Sequence, residues 1–88
     1  MCTMINEQIG VTACARGAKG WFNVRQANVS FDHPFNFPNE HALNLDFVDE
    51  SQGPGARVAI EMNAASARAL AETILAVLAK AEMAGVAE

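Results

Sequence analysis

The chain predicts a small α+β domain: a four-stranded antiparallel β-meander with one C-terminal helix packed on one face (β-β-β-β-α). Three observations carry that expectation. Apolar residues alternate at a period of two through four stretches ahead of residue 63, and turn-forming or proline-rich segments separate those stretches. From Ala64 onward the period changes to that of a helix.

The first stretch, residues 3–15, sets Ile5, Ile9, Val11, Ala13 and Ala15 on one parity, as a half-buried strand requires, with Gly10 the candidate for a bulge. Arg16-Gly17-Ala18-Lys19-Gly20 is a hairpin turn whose glycines supply positive φ. Its glycines and basic residues superficially suggest a phosphate cradle, but no helix follows to provide the amide donors. Residues 21–31 form a second strand of mixed parity, with Ala27, Val29 and Phe31 on one face and Phe22 and Val24 on the other. Either a bulge near Arg25-Gln26 reconciles them or both faces are partly covered.

Residues 41–50 alternate as a third strand, with Leu43, Leu45 and Phe47 opposed to Ala42, Asn44, Asp46, Val48 and Glu50. Ser51-Gln52-Gly53-Pro54-Gly55 is a turn. Ala56, Val58, Ile60 and Met62 then alternate with Arg57, Ala59, Glu61 and Asn63 as the fourth strand. In the helix, Ala64 to about Ala84, one stripe holds Ala67, Leu70, Ala71, Ile74, Val77, Leu78 and Ala81. Asn63 is the expected N-cap and Gly85 the left-handed stop.

With 88 residues the chain makes one domain, near the lower end of what a single core stabilises. It is 51% apolar and 18% charged, against roughly 25% charged in an ordinary soluble domain. A compact monomer would leave apolar surface in water, so a homo-oligomer, dimer or higher, is expected. The net charge of −4 and the dispersed Arg16, Lys19, Arg25, Arg57, Arg68 and Lys80 argue against a nucleic-acid partner. Met-Cys-Thr-Met leads into Asn6, Glu7 and Gln8 rather than an apolar leader, and no apolar run is long enough to span a bilayer. The expectation is a cytoplasmic protein with no membrane partner. Cys2 and Cys14 fit a reducing compartment, and one extended strand would hold them about 40 Å apart, too far for an intrachain bridge. Antiparallel pairing of two first strands about Gln8 would set each Cys2 opposite a neighbour's Cys14. Removal of Met1 would make Cys2 an amine–thiolate pair; otherwise it is a small hydrophobe at a strand end.

The candidate chemistry concentrates in Phe31-Asp32-His33-Pro34-Phe35-Asn36-Phe37-Pro38-Asn39-Glu40-His41, which holds both histidines and two prolines. Proline excludes a central strand or helix interior, so this is an ordered crossing between strands. His33 beside Asp32 is a candidate general base, with Asp46 and Glu61 as paired carboxylates on one sheet face to assist it. More often such carboxylates flank a cation, here Arg57, in a cross-strand charge pair on a wet face. Phe35 and Phe37 could stack on a planar ligand or anchor the loop, and Trp21 is a core edge or an interface anchor. The eight-residue spacing of His33 and His41 matches no common zinc motif, and nothing calls for a metal or an organic cofactor.

Two functions follow. The first is a homo-oligomeric binding or accessory protein that recognises a small molecule or partner protein through the 32–41 loop and the open sheet face, with His33, Phe35, Phe37, His41, Asn44 and Arg57 as contacts. The alternative is a cofactor-independent enzyme in an interface cleft, with His33, Asp46 and Glu61 catalytic.

Met-Cys-Thr, Gly20-Trp21-Phe22, Ala27-Asn28-Val29-Ser30-Phe31-Asp32-His33-Pro34-Phe35, Glu40-His41-Ala42-Leu43-Asn44 and Gly53-Pro54-Gly55-Ala56-Arg57-Val58 resemble an uncharacterised family of small bacterial proteins. The resemblance spans nearly the whole chain and implies no catalytic residue.

Overall fold

A computed structural model describes residues 5–53 and 55–88. Four antiparallel strands, β1 (Ile5–Gly17), β2 (Gly20–Asp32), β3 (Ala42–Val48) and β4 (Arg57–Met62), form an open sheet in the order β1-β2-β3-β4, followed by helix α1 (Ala64–Met83). The expected fold class is the one observed. Cys2 and Pro54 lie outside the described residues, and with Cys2 the bridge proposed for it.

The register sorts the side chains by chemistry. Ile5, Phe31, Leu43 and Met62 align across the sheet, as do Glu7, Val29, Leu45 and Ile60, on the face that carries the helix. One residue along, Asn6, Ser30, Asn44 and Glu61 align on the opposite face, followed by Gln8, Asn28, Asp46 and Ala59. Successive strand residues point to opposite faces, so this segregation follows from the alternation once the pairing is set.

The mixed parity of β2 is real, because both its faces are partly covered: Val24 is buried on the open face and Ala27 on the helix-bearing one. Gly10 pairs with Gln26 and Ala13 with Val24, so β1 carries one extra residue there and β2 carries none. The bulge lies beside Gly10 and opposite Arg25. Beyond it the parity of β1 is reversed, and Ala13 and Ala15 oppose Val24 and Phe22 on the open face rather than joining Ile5 and Ile9. The bulge in β2 that would have reconciled the pattern is absent. The hairpin closes on Ala18 and Lys19, with Gly20 at φ 112°, a conformation open to glycine. Past Gln26 it projects as a two-stranded ribbon, because β3 pairs only with Gln26–Asp32. Trp21, near its tip, is 72% exposed and so is not a core residue.

The third strand ends at Val48, two residues before the expected boundary, because Asp49 offers the backbone an alternative to the ladder. Its carboxylate accepts from the Ser51 amide at 3.1 Å, the Ser51 hydroxyl at 2.6 Å and Gln52 Nε2 at 2.8 Å, which folds Glu50–Gln52 into a 3-10 turn. These hydrogen bonds, led by the Ser51 hydroxyl, hold the Asp49 carboxyl below its usual range, with Arg25 adding attraction from 3.7 Å. The helix begins and ends as expected: Asn63 Oδ1 accepts from the Ser66 amide at 2.7 Å. At the other end Gly85, at φ 73°, donates to Glu82 and Val86 to Ala81, a complete Schellman motif.

The core itself is small. Among the described residues the buried apolar side chains are Val24, Ala27, Ala42, Val48 and Ala56, none larger than valine. Val24 and Val48 are buried on the open face near the β3–β4 connection, and Ala42 is fully covered at the other end. The helix buries no residue completely: Leu70, Ile74, Val77 and Leu78 stay 43–58% exposed although their stripe is apolar. Val24, at 2% exposure, is therefore a disproportionate part of the packed interior. Val24→Ala is expected to lower the unfolding free energy by about 1.5–3 kcal/mol in a urea titration, whereas Trp21→Ala should change it by less than about 0.5 kcal/mol.

Candidate functional site

The segment between β2 and β3 folds over the open face, and a single carboxylate holds it there. Glu61, in β4, accepts from the backbone amides of Phe35 at 2.6 Å, Asn36 at 2.8 Å and Phe37 at 2.9 Å. Three amides converging on one charged acceptor make a fixed clamp and hold the Glu61 carboxyl below its usual range, the Phe35 amide contributing most. The start of the loop is set by Asp32, whose Oδ1 accepts the His33 amide at 2.7 Å. Its end is set by His33, whose Nδ1 lies 2.8 Å from the Glu40 carbonyl. A carbonyl only accepts, so Nδ1 carries the proton and the neutral ring keeps its lone pair on Nε2. His33 stacks on His41 with ring centroids 4.7 Å apart, and His41 in turn on Phe31 at 6.1 Å. Rings stacked in nearly parallel planes do not converge their in-plane lone pairs on one ion. No cluster of three or more His, Cys, Asp or Glu side chains suited to a metal occurs among the described residues.

Under this loop the open face forms a cleft of about 380 Å³. Its floor is the register-aligned set Asn6, Gln8, Asn28, Ser30 and Asn44, and His33 and Phe35 stand at the loop side. Gln26 Nε2 donates to Asn28 Oδ1 at 2.8 Å, which fixes the Asn28 carboxamide. Asn44 Nδ2 reaches the Asp32 carbonyl at 3.5 Å, while its buried Oδ1 has no protein partner. Of the charged groups bordering the cleft, Arg57 Nε donates to Asp46 Oδ1 at 2.8 Å, Glu61 holds the loop and Asp32 Oδ1 takes the His33 amide. What remains free in the cleft is a field of neutral amide and hydroxyl groups.

This geometry gathers some of the residues singled out in the sequence and separates others. His33, Phe35, Asn44, Asp46, Arg57 and Glu61 all border the cleft. His41 lies in the ring stack instead, and Phe37 lies on the far side of the clamp with Pro38 and Ala59. The Phe35 ring does not fasten the loop, because Phe35 is 94% exposed while its amide makes the shortest bond to Glu61. Sequence reasoning did not single out Asn6, Gln8 or Ser30. Their signal was the run of uncharged polar residues on the even positions of both long strands.

The family comparison covers residues 1–87, which match the model of a family of unknown function, DUF6295. The chain belongs to this family. No curated protein and no solved structure matches it. For this DUF6295 member no helix is long and apolar enough to cross a membrane among the described residues.

The clamp makes two measurable demands. Glu61→Gln removes the charge, and one amide oxygen cannot replace a carboxylate for three donors. The exchange protection of the Phe35, Asn36 and Phe37 amides is expected to fall at least about tenfold while that of β2 is kept. Because folding lowers the Glu61 pKa, its stabilising effect is fully present above the ordinary value of 4.5 and is lost as pH falls through the lower folded value. Protection of the same three amides, corrected for intrinsic exchange, should therefore hold at pH 5 and above and collapse only well below 4.5. Collapse near neutral pH would show that a group other than Glu61 fastens the loop.

Proposed function

We propose that the chain is a binding protein of the bacterial cytoplasm that holds a small, neutral, polar molecule on its open sheet face under the 32–41 loop. The observation that carries this is the cleft floor of uncharged donors and acceptors, Asn6, Gln8, Asn28, Ser30 and Asn44. The carboxylates beside it exceed the one cation, Arg57, and so disfavour an anion, while the floor's amides and hydroxyl suit a molecule rich in hydroxyl or amide groups. The loop supplies one exposed ring, Phe35, to cover such a ligand from above. The exposed Cys14 thiol fits a reducing compartment.

The enzymatic alternative has less support. A general base needs a free carboxylate or imidazole to move protons, yet Asp46 is bound to Arg57 and Glu61 to three amides. His33 keeps a lone pair on Nε2, with Nδ1 held by the Glu40 carbonyl, but neither Asp46 nor Glu61 is free to assist it.

Titration of the labelled protein with a set of monosaccharides and a set of nucleosides, followed by amide spectra, tests the proposal. The side-chain amides of Asn6, Gln8, Asn28 and Asn44 are expected to shift together for at least one compound, and Asn28→Leu should remove the response. Silence across both sets and no co-purified small molecule in native mass spectrometry would overturn it. His33→Gln should leave affinity within about threefold for a binder, whereas a general base would lose about 10²–10⁴ in rate.

A further inference from the structure

The apolar surplus of this chain lies on the helix-bearing face. Between α1 and the sheet runs a groove of about 680 Å³, floored by Ile5, Val29, Phe31, Leu43, Leu45 and Met62 and walled by the first half of the α1 stripe. The second half of that stripe continues past the groove with Val77 and Leu78 more than half exposed. The helix therefore stands off a sheet it does not fill, and then projects a bare apolar ridge.

The area left in water says how much is missing. The chain exposes 6832 Å², while a compact monomer of 9.4 kDa exposes about 5,000 Å². Its radius of gyration is 14.8 Å, where a compact 88-residue domain has about 12 Å. The excess over the whole surface, about 1,800 Å² with the projecting ribbon included, is of the order that each protomer of an obligate homodimer buries. A concave groove and a convex ridge on one face are also the complementary halves that a two-fold interface needs.

We infer that the occupant of this groove is a second copy of the chain, in a two-fold dimer whose α1 helices pack antiparallel and insert their exposed ridges against the partner's apolar sheet face. The charges along the stripe support this orientation. Arg68, Leu75 and Glu82 recur at seven-residue spacing on one edge of the stripe, and Leu75 is 68% exposed. An antiparallel two-fold pair sets one edge beside the same edge of the other helix. Centred on Leu75, it brings each Arg68 beside the partner's Glu82. The open face stays free on the outside of such a dimer, so the assembly does not depend on the ligand proposed above.

Sedimentation of the full chain at low micromolar concentration tests it, and the expected mass is twice 9.4 kDa. Leu78 is 52% exposed in the single chain, so Leu78→Lys costs an isolated fold little and should abolish the dimer. Arg68→Glu and Glu82→Arg should each raise the dissociation constant by about tenfold, and the double reversal should restore it. A wild-type monomer would overturn the inference. So would a dimer indifferent to Leu78→Lys, single reversals that the double does not rescue, or a monomer carrying an apolar small molecule in native mass spectrometry.

Discussion

Strand register is the constraint on which everything else in this molecule depends. Four strands alternate polar and apolar residues, and only one pairing of each with its neighbour collects Ile5, Phe31, Leu43 and Met62 on one side and Asn6, Ser30, Asn44 and Glu61 on the other. A slip by one residue in any strand would carry amides under the helix and apolar side chains beneath the loop. The bulge after Gly10 belongs to the same constraint. It resets the parity of β1 so that the small residues Ala13 and Ala15 meet Val24 and Phe22 in the projecting ribbon.

Given that register, two carboxylates fix the irregular parts of the chain. Asp49 folds the start of the β3–β4 connection around itself and Glu61 holds the β2–β3 loop by three amides. Each satisfies backbone donors that have no ladder to join, the usual requirement for ordering a segment without regular structure. Both acids thereby act as fastenings. The loop is positioned from below by β4 rather than by burial of Phe35, which leaves that ring free above the cleft.

The two faces divide the work. Polar groups on the open face are numerous and mostly neutral, while apolar groups on the helix-bearing face exceed what one helix covers. Among the described residues, interior packing within the chain rests on side chains no larger than valine, and the larger ones lie at least partly in water. A domain of this size has little stability to spare, and its interior holds little of the apolar surface the chain carries.

The sequence by itself determined the elements. Period-two alternation marked the strands, Asn63 and Gly85 marked the helix ends, and the proline-bearing segment marked the crossing, because each is a local preference of a few neighbouring residues. Gly10 even located the bulge, although not which way the parity would turn. Several site residues, His33, Asn44, Asp46, Arg57 and Glu61, were also legible as polar positions on one face or one loop. What only the tertiary structure decided is what those residues hold. That Glu61 meets amides twenty-four to twenty-six residues away, and that Asn6 and Asn44 share a floor across two pairings, depends on strand register and loop path. So does the standoff of the helix. Periodicity names the residues on an apolar stripe, but how closely that stripe approaches the sheet depends on how side chains from separate elements fit together in three dimensions.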